Sequence, residues 1–89
     1  MNAEKIGFVG LGRMGLRMAL RLINSYPVYG TDKSVSLKQS VQEKGVNWVD
    51  DSISLARICR HIFVVAGTEN EVTEIIFGKL GLLSGIDSD

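Results

Sequence analysis

The 89-residue sequence predicts an α/β fold, a parallel sheet of about four strands in the order 3-2-1-4 with flanking helices. Three observations predict it. Short apolar runs alternate with helical patterns along the whole chain, as βαβ units require. The run Ile6-Gly7-Phe8-Val9 leads directly into Gly10-Leu11-Gly12-Arg13-Met14-Gly15, which leads directly into a helical pattern. A second apolar run, Val28-Tyr29-Gly30-Thr31, ends in the acid Asp32, 22 positions after Gly10.

The order strand, glycine turn, helix gives these residues a chemical meaning. Gly10 permits the tight turn, Gly12 lets a ligand approach the backbone, and Gly15 lets helix and strand pack closely. At the start of a helix, N–H groups without an intrahelical acceptor and the positive dipole end face outward, a setting suited to a pyrophosphate. An acid about 20 residues on, at the tip of the second strand, is placed to accept hydrogen bonds from ribose hydroxyls. The fingerprint sits on the first strand, because only five residues precede Ile6. The expectation is a partial Rossmann fold that binds a dinucleotide.

In the first helix Met14, Met18, Ala19, Leu22 and Ile23 recur at helical spacing and are expected to face the sheet. Arg13, Arg17 and Arg21 form the opposite stripe, and Arg17 and Arg21 read as solvated. Arg13 opposes the helix dipole, so it is either solvated like them or turned to a phosphate. Asn24-Ser25 end the helix, and Pro27 holds Tyr26 extended before strand two. Ser36-Leu37-Lys38-Gln39 reads as a capping box opening a short helix, and Gly45 as its stop. Val46 to Val49 form a brief third strand, with Trp48 as a hydrophobic cover at the sheet edge. Asp51-Ser52 cap a helix carrying Leu55, Ala56 and Cys59. Ile62 to Ala66 form an apolar strand expected to be covered on both faces. Gly67-Thr68 follow, and Thr68 to Glu71 read as a second capping box before a helix with Val72, Ile75 and Ile76 inward. In open parallel sheets ligands bind beyond the carboxyl ends of the strands. The loops holding Gly10 to Gly15, Asp32-Lys33 and Ala66 to Thr68 share that edge and form one site.

Composition narrows the partners. Apolar content of 45%, charged content of 22% and a formal net charge of +0 describe an ordinary globular chain with no general attraction to nucleic acid or to an anionic membrane. No apolar stretch is long enough to span a bilayer. With no signal or transit pattern, a cytoplasmic location is the default expectation. The single cysteine, Cys59, excludes an internal disulfide and reads as a small apolar filler. No Cys/His cluster suggests a metal. The single histidine, His61, has no acid or nucleophile near it in sequence and reads as structural or surface.

The stretch from Ile6 to Gly15, followed by Met18-Ala19 and Leu22, resembles the opening of the β-hydroxyacid dehydrogenases. That family includes 3-hydroxyisobutyrate dehydrogenase, semialdehyde reductases and 6-phosphogluconate dehydrogenase. Val72, Ile76-Phe77-Gly78 and Gly81-Leu82-Leu83 resemble its stretch after the fourth strand. The resemblance implies that the backbone from Leu11 to Gly15 holds the pyrophosphate and that Asp32 holds the adenosine ribose. It also implies that Ala66, Gly67 and Thr68 back the nicotinamide ribose and that Val72 lies near the adenine. Two positions depart from the family. Asp32-Lys33 stands where an Asn-Arg pair often accepts a 2′-phosphate. An acid repels that phosphate, so NAD is the expected cofactor, with NADP the alternative that Lys33 leaves open. Ala66-Gly67-Thr68 also lacks the family's proline.

The resemblance covers nearly the whole chain but only the N-terminal part of the family's cofactor domain. The substrate-binding segment and the catalytic lysine of the family lie downstream of any residue here, so no catalytic residue is assigned. The chain reads as residues 1–89 of a dinucleotide-binding domain without the substrate domain. By the resemblance its chemistry is hydride transfer between nicotinamide and a small β-hydroxyacid or semialdehyde, with no activity expected from this chain alone. The open sheet edge beside Val64 and Val65 suits a second copy or a completing chain. Two other readings stay open: a non-enzymatic NAD-sensing module like the regulatory domains of potassium channels, and a non-functional fragment.

Overall fold

The computed structural model describes residues 4–65. Strand β1 (Ile6–Val9) leads through the glycine turn to helix α1 (Arg13–Leu22) and strand β2 (Val28–Thr31). A 3₁₀ turn (Val35–Leu37) runs into α2 (Lys38–Glu43), followed by β3 (Asn47–Trp48), α3 (Ser52–Ile58) and β4 (His61–Val64). The four strands form one sheet in the order β3-β2-β1-β4, every neighbouring pair parallel. The expected fold class and strand order are those observed.

Alternation along β1 divides the core. Ile6 and Phe8 point to one face and pack with Leu11, Ala19, Val28, Val41 and Val46. Val9 points to the other face and packs with Val49, Leu55 and Cys59. Both faces of the central strand are therefore covered, which is why it reads as an unbroken apolar run. Burial pushes the Cys59 thiol up to about 11, as expected of a sulfur filling space under α3.

Several local signals act as expected. Asp51 caps α3, its carboxylate accepting the Ser54 N–H at 2.8 Å. Gly45 ends α2 at φ +104°. The Gly45 N–H reaches the Gln42 carbonyl at 3.1 Å and the Val46 N–H reaches that of Val41 at 3.0 Å, the paired bonds of a Schellman stop. Trp48 packs partly buried at the β3 edge and donates its indole N–H to Asp50 at 3.2 Å.

Others do not. Met14 is 68% exposed and Met18 is also exposed, so neither faces the sheet. The buried positions of α1 are Gly15 and Ala19, one residue further on, with Leu16, Leu20, Leu22 and Ile23 packed beside them. Gly15 sets this rotation. A Cβ there would stand 2.0 Å from the Gly10 carbonyl oxygen, so Gly15 must face the turn and Met14 is swung outward. The capping box at Ser36 to Gln39 does not form, because the 3₁₀ turn already occupies Ser36 and α2 begins at Lys38 with no side-chain cap. Strand β4 is not covered on both faces: His61 is exposed and Phe63 is 42% exposed, although Phe63 stacks on Phe8 at 5.2 Å. His61 is a surface residue, but an acid does lie beside it. Parallel pairing of β1 with β4 brings Glu4 to 2.8 Å from Nε2. The expected second capping box at Thr68 to Glu71, and the helix with Val72, Ile75 and Ile76, fall outside the described residues.

Candidate functional site

The parallel register makes the site. Val9 is level with Thr31 on one side and with Val64 on the other, so β1, β2 and β4 end together. The residues that follow those strands, Gly10, Asp32 and Val65, are brought to one edge of the sheet. Backbone bonds continue the ladder there, from the Gly10 N–H to the Thr31 carbonyl at 2.9 Å and from the Val65 N–H to the Val9 carbonyl at 2.8 Å.

Each glycine of the turn meets a different constraint. Gly10 sits at φ +104°, and a Cβ on it would stand 2.0 Å from the Val65 carbonyl oxygen. Gly15 abuts the Gly10 carbonyl, as described above. Gly12 has no heavy atom within 4 Å of where its Cβ would be, so the backbone faces open space. It is also the residue that starts α1, with extended backbone and no side-chain cap. Two glycines close the turn on protein and the third leaves it open to an incoming group. Arg13 and Met14 are exposed at the same helix start, and no acid stands in that first turn. A bulky anion could reach the first N–H groups of α1 without displacing a side chain.

Asp32 follows β2 and is joined to the glycine turn. Its Oδ2 accepts the Leu11 N–H at 2.7 Å and its Oδ1 accepts the Ser34 N–H at 2.8 Å. Each oxygen keeps a further acceptor direction, so the half-buried carboxylate is oriented and still able to bind hydroxyls. The Leu11 N–H is thereby committed to Asp32 and is not among the donors left for a phosphate. Lys33 is exposed beside it. The structure therefore brings together Gly10, Leu11, Gly12, Arg13, Met14, Gly15, Asp32 and Lys33. Ala66, Gly67, Thr68 and Val72 fall outside the described residues.

Sequence reasoning missed two contributors. Ser34 closes a turn on Asp32 through its N–H, which the Asp-x-Ser spacing could have signalled. Gly30 was read only as part of an apolar run, yet its bare backbone receives the Leu11 side chain. Cys59 lies under the sheet and His61 begins β4, at the opposite end from Val65, so neither is at this edge.

Comparison with known proteins agrees with this geometry. The family model for the NAD binding domain of 6-phosphogluconate dehydrogenase matches residues 5–89. The uncharacterized oxidoreductase YkwC of Bacillus subtilis (strain 168) is 33% identical over 90% of this chain and 28% of its own length. A protein of Arabidopsis thaliana named probable 3-hydroxyisobutyrate dehydrogenase-like 1, mitochondrial, is 32% identical over 92% of this chain and 25% of its own. Among solved structures, Psf3 in complex with NADP+ and 2-OPP superposes with a TM-score of 0.82 at 31% identity, covering 92% of this chain and 30% of that one. The 3-hydroxyisobutyrate dehydrogenase of Mycobacterium tuberculosis, with a TM-score of 0.75 and 23% identity over 83% of this chain and 25% of that one, shares the fold. The chain thus spans between a quarter and a third of the length of these proteins. With its glycine turn, its acid after β2 and a match over nearly its full length, the chain belongs to the NAD-binding domain family of 6-phosphogluconate dehydrogenase and takes an NAD(P) dinucleotide as its cofactor.

Proposed function

We propose that this chain forms the N-terminal part of the cofactor domain of an oxidoreductase acting on a small β-hydroxyacid or semialdehyde, and that it prefers NAD to NADP. The observation that carries the reading is the pairing of an open cradle at Gly12 with an oriented acid at Asp32. The N–H groups at the start of α1 receive the pyrophosphate, with Arg13 as its cationic neighbour. Asp32 accepts the hydroxyls of the adenosine ribose, and its charge opposes a 2′-phosphate at the same place. Ala66, Gly67 and Thr68 would back the nicotinamide ribose, and Val72 the adenine. Lys33 beside Asp32 tempers the discrimination against NADP. The nicotinamide, when bound, supplies the hydride chemistry, and the protein's part is to hold and orient it.

The exposed Phe63 on β4 supports a second copy or a completing chain joining at that side of the sheet. If the joining chain is a second copy, light scattering should give a solution mass above 9.7 kDa, and a monomer at every concentration would overturn the second copy.

The test of the cofactor reading is a thermal melt with NAD and with NADP. A nucleotide at ten times its Kd stabilises the folded state by about 1.4 kcal/mol. For a domain of this size that raises the midpoint by roughly 5–10 °C. NAD should shift the midpoint more than NADP at equal concentration. Equal shifts would remove Asp32 as the selector, and no shift with either would overturn the reading.

A further inference from the structure

We propose that the contact between the Leu11 side chain and the bare backbone of Gly30 is a positioning device for cofactor selection, holding Asp32 at a set distance from the glycine turn. The proposal rests on the reading of Asp32 as the ribose acid. A dinucleotide joins its adenosine ribose to its pyrophosphate by a short covalent link. Asp32 and the Gly12 cradle can serve both groups at once only if their separation is fixed beforehand, and such preorganisation is what raises affinity.

The structure supplies the means at one residue. Leu11 is next to Gly12 in the chain and gives its N–H to Asp32 Oδ2 at 2.7 Å. Its side chain is 1% exposed and belongs to the core cluster with Phe8, Ala19, Val28 and Val41. Gly30, on β2 and two residues before Asp32, is level with Phe8 and Trp48, and its carbonyl accepts the Val49 N–H at 2.8 Å. A Cβ on Gly30 would stand 2.8 Å from Leu11 Cδ1, 3.0 Å from Cδ2 and 3.2 Å from Cγ. All three atoms lie within reach, so turning one methyl aside does not relieve the overlap. The Leu11 side chain must give by a few tenths of an ångström, and its close-packed surroundings direct that shift to the Leu11 backbone and its bond to Asp32. Leu11 and Gly30 are positioning residues that act through Asp32.

The experiment uses the 89-residue chain, titrated with NAD and with NADP by calorimetry, with the Leu11 amide followed by NMR. Gly30→Ala should weaken NAD by about tenfold and narrow the NAD-to-NADP ratio, with the Leu11 amide moving as its bond to Asp32 lengthens. The pair Leu11→Ala with Gly30→Ala puts the new methyl into vacated space and should recover most of the ratio. If Gly30→Ala lowers the melting midpoint but leaves both affinities and the Leu11 amide unchanged, the contact is packing alone and the proposal is overturned. If Gly30→Ala does not fold, Leu11→Ala alone decides. A narrowed ratio supports the device and an unaltered ratio overturns it. A wild-type chain that binds neither nucleotide overturns the site reading itself, and the amide then reports only whether Gly30 governs the bond.

Discussion

At the scale of single residues, the glycines of the turn separate structure from binding. A Cβ at Gly10 would collide with the Val65 carbonyl at a φ that L-residues rarely adopt. Gly10→Ala should cost at least about 3 kcal/mol and abolish a cooperative melt. Gly12 has open space and an ordinary φ of −68°. Gly12→Ala should cost no more than about 1 kcal/mol, as a poorer helix cap, while its methyl obstructs the pyrophosphate and weakens NAD by tenfold or more. Calorimetry and a melt on both variants check this, and a Gly12→Ala protein with unchanged affinity would remove the cradle. Asp32→Ala removes the acceptors of a charge-assisted bond, each such bond being worth about 1.5–3 kcal/mol, so NAD affinity should fall by tenfold or more while NADP loses less. The spacing of Gly10, Gly12, Gly15 and Asp32 was legible because each role is written in residue type. The role of Gly30 was not, because its partner Leu11 is distant in sequence and only the pairing of β2 with β1 brings the two together.

At the scale of elements, legibility followed locality. The Asp51 cap and the Gly45 stop involve residues within a few positions of one another, and both form as read. The rotation of α1 was misread because periodicity identifies a helix but not which of two adjacent stripes is buried. The apolar Met14 and Met18 outweighed Gly15 in the pattern, whereas contact with the Gly10 carbonyl decides the matter. The expected box at Ser36 failed because a 3₁₀ turn began one residue earlier. The Asp51 cap can be tested through pH. The Ser54 N–H, with a smaller effect of Arg57, holds the Asp51 carboxyl below the ordinary value of 3.8. A depressed folded value means that the cap's contribution is present above that ordinary value and is lost as pH falls through the lowered one. Asp51→Ala should cost about 1 kcal/mol at neutral pH. The difference from the parent should narrow on acidification below 3.8, as read by urea unfolding at several pH values. A difference independent of pH would mean that the carboxylate charge does not contribute to the cap.

At the scale of the molecule, strand order was legible because a fingerprint on the first strand and an acid after the second leave few ways to wind a parallel sheet. Coverage of β4 was not, because an apolar run looks alike whether or not something lies on it, and Phe63 is in fact exposed. The same placement of elements bears on activity. The site edge collects an acid, an arginine, a lysine and backbone N–H groups around the glycine turn, which suits binding. Among the described residues the imidazole is not there, since His61 begins β4 at the far end and is paired with Glu4 at 2.8 Å. The thiol is not there either. Cys59 is buried under β1, and its pKa is pushed up to about 11, so near neutral pH it is neither a base nor a nucleophile. Alkylation of Cys59 at pH 8 should accordingly be on the order of 100-fold slower in the folded chain than in urea. Among the described residues, the groups at this edge suit binding and orienting a dinucleotide. With NAD and 3-hydroxyisobutyrate, the purified chain should show a nucleotide-dependent melt and no reduction of NAD above background. A rate proportional to added protein, and abolished in Asp32→Ala, would overturn that and require an acid–base group at the site beyond those described.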